Sequence, residues 1–374
     1  MEEEEIPTTP ILTLPPQLPS TSQVSPLLMN SVSNIKISVI FSSFNSLCLL
    51  VDRQPFVFIQ SKEFGKLSKL KLDFPFEVLC IDVLTGGNVL IGNDKGLYHL
   101  NRSGQLVSII TGKRFQQLEV LPALGIVLAL CGTKSPEVRM YSLTEITAVV
   151  ATGVRSKEMQ LVKLKNSVGC SHFVTKKIGD AWFLVLSVKK KVILYLWDHY
   201  PHYKFLIVKD WSLKAKAIKT QIVERNGMVS QICVMQPKNF MMIDTTSGVK
   251  SILDFQLDKK NLPCDVCLVV ENILLLSFTD IGFFVNGSES ARMSTSFDWS
   301  LSVVSTAVAG NFVVCLSEKG LEVMFVNRPK VAVVISQDLS AIKFLRAMDG
   351  HVYFSAKSLG EYTSIFDLAF ELAR

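Results

Sequence analysis

The sequence predicts an all-β protein, a ring of small antiparallel sheets, and three observations predict it. From Asn34 onward, short apolar runs alternate with turn signals about every ten residues, roughly two dozen runs in all. Helical spacing is scarce: only Ser364–Arg374, with Ile365, Leu368, Ala369 and Leu372, fits an amphipathic helix or a frayed end. With 48% hydrophobic and 19% charged residues, the 374-residue chain can fill a large core. An open sheet of two dozen strands would curl and expose its edges, whereas radial repetition of four-stranded sheets absorbs that number. Shared among seven sheets, about 340 residues give about 49 per sheet, within the range of β-propellers. Periodicity does not set the blade number, because no blade motif repeats. Trp-Asp occurs only at Trp197-Asp198, without a Gly-His partner.

Taken in order, residues 1–33 form a Pro/Ser/Thr-rich segment with 6 of the 14 prolines and no glycine, read as a flexible, disordered tail. Leu14-Pro15-Pro16-Gln17-Leu18-Pro19 resembles a polyproline ligand, so the tail is either a linker or a docking peptide. Residues 34–374 are the candidate propeller. Its turns include Gly86-Gly87, Asn93-Asp94-Lys95-Gly96, Asn226-Gly227, Asn286-Gly287, Gly310-Asn311, Lys319-Gly320 and Asp349-Gly350, suited to tight hairpins because these residues accept positive φ. The most apolar run, Asn272–Val285, is interrupted by Asp280, which argues against a transmembrane helix. The start, Met-Glu-Glu-Glu-Glu-Ile6, lacks the order of a signal peptide. A cytoplasmic chain is therefore expected, its eight cysteines reduced and its sequons at Asn101 and Asn286 without meaning.

For catalysis the sequence offers little. It has no phosphate-cradling P-loop, no Rossmann glycine fingerprint, no nucleophile elbow and no H-E-x-x-H, and its five histidines are scattered. No enzyme activity, cofactor or metal is expected. Cys264-x-x-Cys267 has no second pair at zinc-ribbon spacing and reads as two sheet cysteines. Asp198-His199-Tyr200-Pro201-His202 offers three metal-ligating types, but it follows a strand and contains proline, as a solvated loop does.

Charge is the stronger signal. Between Arg155 and Lys219, 14 Lys/Arg face 4 Asp/Glu, more than the whole chain's net +6. Trp182–Val188 and Val192–Trp197 read as two strands joined by Lys189-Lys190-Lys191, a tip that cannot be buried because isolated charges cost too much to desolvate. These lysines, with Lys176 and Lys177, are the candidate partner-binding residues, expected to lie beside lysines 163, 165, 204, 209, 214, 216 and 219. The alternative is a solvated edge that blocks strand-to-strand aggregation. An acidic protein or an anionic membrane surface suits such a field. Nucleic acid does not, because Trp182, Phe183, Tyr195 and Trp197 sit at strand spacing facing the core.

Six segments in consistent order carry a family resemblance. Val89-Leu90-Ile91-Gly92-Asn93-Asp94-Lys95-Gly96-Leu97-Tyr98-His99-Leu100 resembles the early "L-L-I/V-G-T-x-x-G-L-Y-x-L" strands of the citron homology (CNH) domain. Val168–Phe173 is similar to its Lys-Gly-Cys-His-x-Phe element, Lys191–Tyr195 to the strand after the next hairpin, and Asp280–Asn286 to its "Glu-Phe-Gly-Val-Phe-Val-Asp". Phe297–Ser300 resembles a Leu-x-Trp strand, and Gly320–Val323 an Ile/Leu-Glu-Val strand. After Asn286 the family often has Gly-Arg-Arg-x-x-Arg, where Gly287–Arg292 keeps one arginine. The resemblance implies a seven-bladed β-propeller of four-stranded antiparallel blades, a non-catalytic scaffold that binds a small GTPase or a signalling kinase or exchange-factor partner. A membrane-recruited vesicle-tethering component of the vacuolar sorting type is the alternative.

Overall fold

A strand covered on both faces has no polar side to alternate, so it reads as a continuous apolar run. Asn88–Gly92, Ile126–Cys131, Ile273–Phe278 and Phe312–Ser317 are buried almost end to end. A computed structural model describes residues 29–30, 66–84, 86–152, 161–270, 272–287, 292–318, 320–326, 331–335, 339–357 and 362–370. In it each of those runs is an inner-middle strand, sandwiched between neighbouring blades.

The first strands are β1 (Met29–Asn30) and β2 (Lys66–Phe74). Blade one is β3–β6 (Cys80–Leu84, Asn88–Gly92, Gly96–Leu100, Leu106–Thr111). Blade two is β7–β10 (Phe115–Leu121, Ile126–Cys131, Glu137–Ser142, Leu161–Lys163). Blade three is β11–β14 (Cys170–Ile178, Ala181–Val188, Lys191–Asp198, Lys204–Ser212). Blade four is β15–β18 (Lys219–Arg225, Met228–Met235, Phe240–Asp244, Lys250–Leu253). Blade five is β19–β22 (Pro263–Val270, Ile273–Phe278, Ile281–Asn286, Arg292–Asp298). Blade six is β23–β26 (Ser305–Ala309, Phe312–Ser317, Gly320–Phe325, Val331–Ile335). Blade seven is β27–β29 (Ser340–Met348, His351–Lys357, Thr363–Ala369) with β2 outside β29 and β1 outside β2. Every pairing is antiparallel, and the first strand of each blade lines the axis. The expected seven-bladed propeller of four-stranded sheets is what the chain forms.

Ring closure rests on β2, whose register against β29 runs from Lys66↔Ala369 to Phe74↔Thr363. It fills two interblade cores at once. Leu67 packs with Ala307, Leu321 and Phe354, while Leu70 and Phe74 pack with Ile81, Val89 and Tyr353. Tight hairpins fall where positive φ was expected, at Asn226-Gly227 (53° and 71°) and Asp349-Gly350 (47° and 79°).

Two expectations are corrected. Ser364–Arg374 is not helical: β29 occupies Thr363–Ala369, where Ile365 and Leu368 are fully buried, and residues 371–374 lie outside the described residues. Pairing on both edges and cover on both faces outweigh a helix-like spacing. A helix instead forms at α1 (Leu143–Thr152), between β9 and β10, burying only Ile146 and Val149. Its sequence signal is Ser142-Leu143-Thr144-Glu145, a capping pattern in which Ser142 Oγ accepts the Glu145 N–H at 3.3 Å. Of the segment read as a tail, Met29 and Asn30 pair with Leu70 and Lys69; the rest, including Leu14–Pro19, lies outside the described residues, as do residues 288–291.

Because β2 closes the ring from both sides, Phe74→Ala should lower unfolding free energy by about 3 kcal/mol in equilibrium urea denaturation. A loss under about 1 kcal/mol would mean that closure does not depend on this packing.

Candidate functional site

Each inner strand pairs on one edge only, so its other edge offers unpaired backbone groups to the axis. Polar side chains of the preceding blade satisfy them. Asp82 of β3 accepts the Val120 N–H of β7 at 2.6 Å. Gln117 of β7 donates to the Phe173 carbonyl (2.6 Å) and accepts its N–H (3.1 Å). His172 Nδ1 of β11 accepts the Thr220 N–H of β15 at 3.4 Å, and Gln221 donates to the Val266 carbonyl of β19 at 3.5 Å. Asp265 of β19 accepts the Thr306 N–H of β23 at 2.9 Å. Arg346 of β27 then reaches back to Asp82 (3.4 Å) and Glu119 (3.5 Å), joining blade seven to blades one and two.

Of these groups, Gln117, Glu119, His172, Gln221 and Arg346 line an axial cavity of about 460 Å³. Lys219 Nζ donates to Asp265 there, so its ammonium is neutralised in place. Burial pushes the Asp82 and Glu119 carboxyls above their ordinary range, against the pull of Arg346. Burial and the Lys219 ammonium hold His172 well below the usual imidazole range. Burial also raises the thiols lining the cavity, Cys80 well above its usual value and Cys267 to about 12, which leaves them protonated and poorly nucleophilic. Strongly perturbed groups in a cavity are a common mark of catalysis, but ion-pair networks perturb them too. Here the charged groups hold blades together, and the described residues supply no nucleophile–base pair.

The predicted lysines separate. Lys189 and Lys190 form the β12–β13 turn and Lys191 opens β13, all exposed. Lys176 and Lys177 lie near the far end of β11, paired with Phe183 and Trp182 at the start of β12. An eight-residue strand stands between the two groups, about 26 Å at 3.3 Å per residue. They therefore sit on opposite faces of the propeller, and Lys176 is paired with Glu224 at 3.1 Å. Of the neighbours expected beside the tip, lysines 165, 214 and 216 lie in loops bonded to it or beside it. Lys204 is at the other face, Lys209 donates to the Thr245 carbonyl (2.9 Å), and Lys219 is in the axial cavity.

Sequence reasoning counted Lys219 as surface charge and overlooked the axial pairs. The missed signal is the polar residue placed among apolar ones near the start of an inner strand, as at Asp82, Gln117 and Asp265. Cys264 and Cys267 take different partners, Thr279 and Thr306. His199 and His202 stand in an exposed loop, where His202 Nδ1 meets Asp198 Oδ2 at 2.6 Å. Beyond that loop, β14 exposes consecutive Leu206, Ile207 and Val208, because a register shift opposite Leu194/Tyr195 breaks the alternation.

Two histidines give the fold opposite responses to acid. His172 is held neutral, so its contribution is complete above the ordinary value of about 6.5 and is lost as pH falls. His351 bonds Asp367 (2.9 Å), which raises its affinity for a proton, so its contribution is complete below that value and is lost as pH rises. Between about pH 7.5 and 5.5, His172→Gln, which keeps an acceptor for Thr220, should make stability less acid-sensitive, and His351→Gln should make it more so. Parallel urea-midpoint profiles for both variants and the wild type would contradict this assignment.

The CNH domain family model matches residues 85–346. Misshapen-like kinase 1 of Rattus norvegicus is 24% identical over 316 residues, covering 81% of this chain and 24% of the kinase. Serine/threonine-protein kinase mig-15 of Caenorhabditis elegans is 25% identical over 320 residues, covering 80% of this chain and 29% of that one. The chain thus spans about a quarter of the length of these curated relatives. Among solved structures, the AfRom2 CNH domain superposes with a TM-score of 0.63 at 14% identity, covering 80% of this chain and 96% of that one. A chain of the Mitotic Checkpoint Complex crystal structure gives 0.59 at 10% identity, covering 87% and 100%. At those identities the structural likeness speaks for the propeller alone. The match of the family model across most of the ring, on a chain that closes as seven four-stranded blades, shows that it belongs to the CNH domain family.

Proposed function

We propose that this CNH propeller is a signalling scaffold that binds a folded protein partner, a small GTPase or a signalling kinase or exchange factor. CNH domains are non-catalytic interaction domains, and the axial charges here are engaged in holding blades together. The observation that carries the reading is the outer edge of blade three. Leu206, Ile207 and Val208 are 40%, 39% and 54% exposed on a strand with no outer neighbour among the described residues, preceded by Tyr200 and Tyr203 at 81% and 63%. Aromatic and aliphatic side chains clustered in solvent are the composition of interface cores rather than of ordinary surface. The edge is also open to backbone pairing with a partner strand.

Immobilised chain should retain a Rho-, Rap- or Rab-class GTPase in a manner that depends on GTP against GDP. The Leu206→Asp/Val208→Asp variant should weaken retention about tenfold or more, with its thermal midpoint unchanged because both residues are exposed. Retention of none of these GTPases would contradict a GTPase partner, and undiminished retention by the variant would contradict the blade-three edge as its binding surface.

A further inference from the structure

Between the β4–β5 turn and the β16–β17 turn the two faces of the propeller differ in charge. Let the upper face be the one at which the inner strands begin. From the β4–β5 turn to the β16–β17 turn its loops are residues 93–95, 112–114, 132–136, 164–169, 189–190, 213–218 and 236–239. Those loops hold ten Lys/Arg residues and one carboxylate, Asp94. On the lower face of the same stretch, the described loops and α1 carry Arg102 against Asp180 and Glu145.

The upper loops are stitched into one platform. Phe115 N–H of blade two donates to the Asn93 carbonyl of blade one (2.8 Å), and Gly112 N–H to that of Lys95 (2.7 Å) ties the upper loops of blade one together. Gly132 N–H donates to the Arg114 carbonyl (2.9 Å), and Gly169 N–H to that of Pro136 (2.7 Å). Lys189 donates its N–H to Gly169 (3.3 Å) and accepts that of Ala217 (2.8 Å), while Gln236 of blade four donates to Ala215 (3.2 Å). Lys95, Lys134, Lys165, Lys189, Lys190 and Lys214 are exposed from this frame, with Lys216 and Lys238 also in solvent. Their presentation together requires no further ordering of the backbone. Burial and the nearby Arg139 and Lys163 cations hold Lys113 below its usual range, as expected where positive charge is crowded.

We propose that this upper face docks on an anionic lipid bilayer, with phosphatidylserine headgroups as its ligand. Composition separates this from a protein interface. Nine of the ten cations are lysine, none of these seven loops contains an aromatic residue, and Val168 is the one large apolar side chain exposed in them. Protein interfaces are depleted in lysine and enriched in aromatics and arginine, and specific phosphate recognition favours arginine forks. Hydrated point charges on a broad rigid face suit a diffuse anionic field. The blade-three edge is a different surface, so the two bindings are compatible and independent.

Sedimentation of the full chain with phosphatidylcholine vesicles, with and without about one-third phosphatidylserine, tests the proposal. Binding is expected only to the anionic vesicles, and raised salt should abolish it. Lys189→Glu/Lys190→Glu should weaken it about tenfold or more, while Lys177→Glu/Lys204→Glu, the same charge change on the opposite face, should leave it within about twofold. Equal losses for both variants would reduce the effect to net charge and overturn the assigned face. Failure to bind the anionic vesicles, or binding in which an acidic protein replaces them as the ligand lost on Lys189→Glu/Lys190→Glu, would overturn the membrane assignment. Neither outcome bears on GTPase retention.

Discussion

The constraint on which the structure depends is the bare inner edge of each blade. A ring of separate sheets leaves seven strands with backbone donors and acceptors turned toward the axis, where unpaired groups are costly. Asp82, Gln117, His172, Gln221 and Asp265 meet that need by bonding the inner strand of the next blade. Two of these positions are charged, so their own neutralisation follows: Arg346 answers Asp82 and Glu119, and Lys219 answers Asp265. The β2 strand performs the corresponding task at the outer side of blade seven, where it joins the two ends of the ring.

This arrangement divides the molecule by role. Inward, titratable groups with perturbed proton affinity are engaged in closure, which is why a cavity with buried acids, a histidine and a lysine is a structural hub. Outward, the two surfaces proposed to bind, the blade-three edge and the upper face, differ in composition as their proposed ligands differ. One is apolar and aromatic on an open strand; the other is almost purely lysine on a stitched platform. A scaffold with both can hold a partner while lying on a charged surface.

The strands were largely legible in the sequence because sandwiched strands leave continuous apolar runs. Trp182–Val188 and Val192–Trp197 fall within a residue of β12 and β13, and the Asn226-Gly227 and Asp349-Gly350 turns fall where expected. The C-terminal strand was obscured because Ile365 and Leu368 are spaced as on a helix, and α1 because only two of its residues are buried. The site was less legible. Lys219 looks like one more surface charge until the register shows that Asp265, in the next blade, faces it. Lys176 and Lys177 looked close to Lys189 in a local charge count, but a strand carries the chain from one face to the other between them. The lysines of blades one, two and four joined the patch only once the loop-to-loop bonds were known.

Amide hydrogen exchange at the axis tests the account most directly. The N–H groups of Val120, Phe173, Thr220 and Thr306, each bonded to a side chain of the preceding blade, should exchange only through global unfolding, at a common free energy. Exchange at the rate of the unpaired outer edge of β14 would show that the axial bonds do not hold the ring.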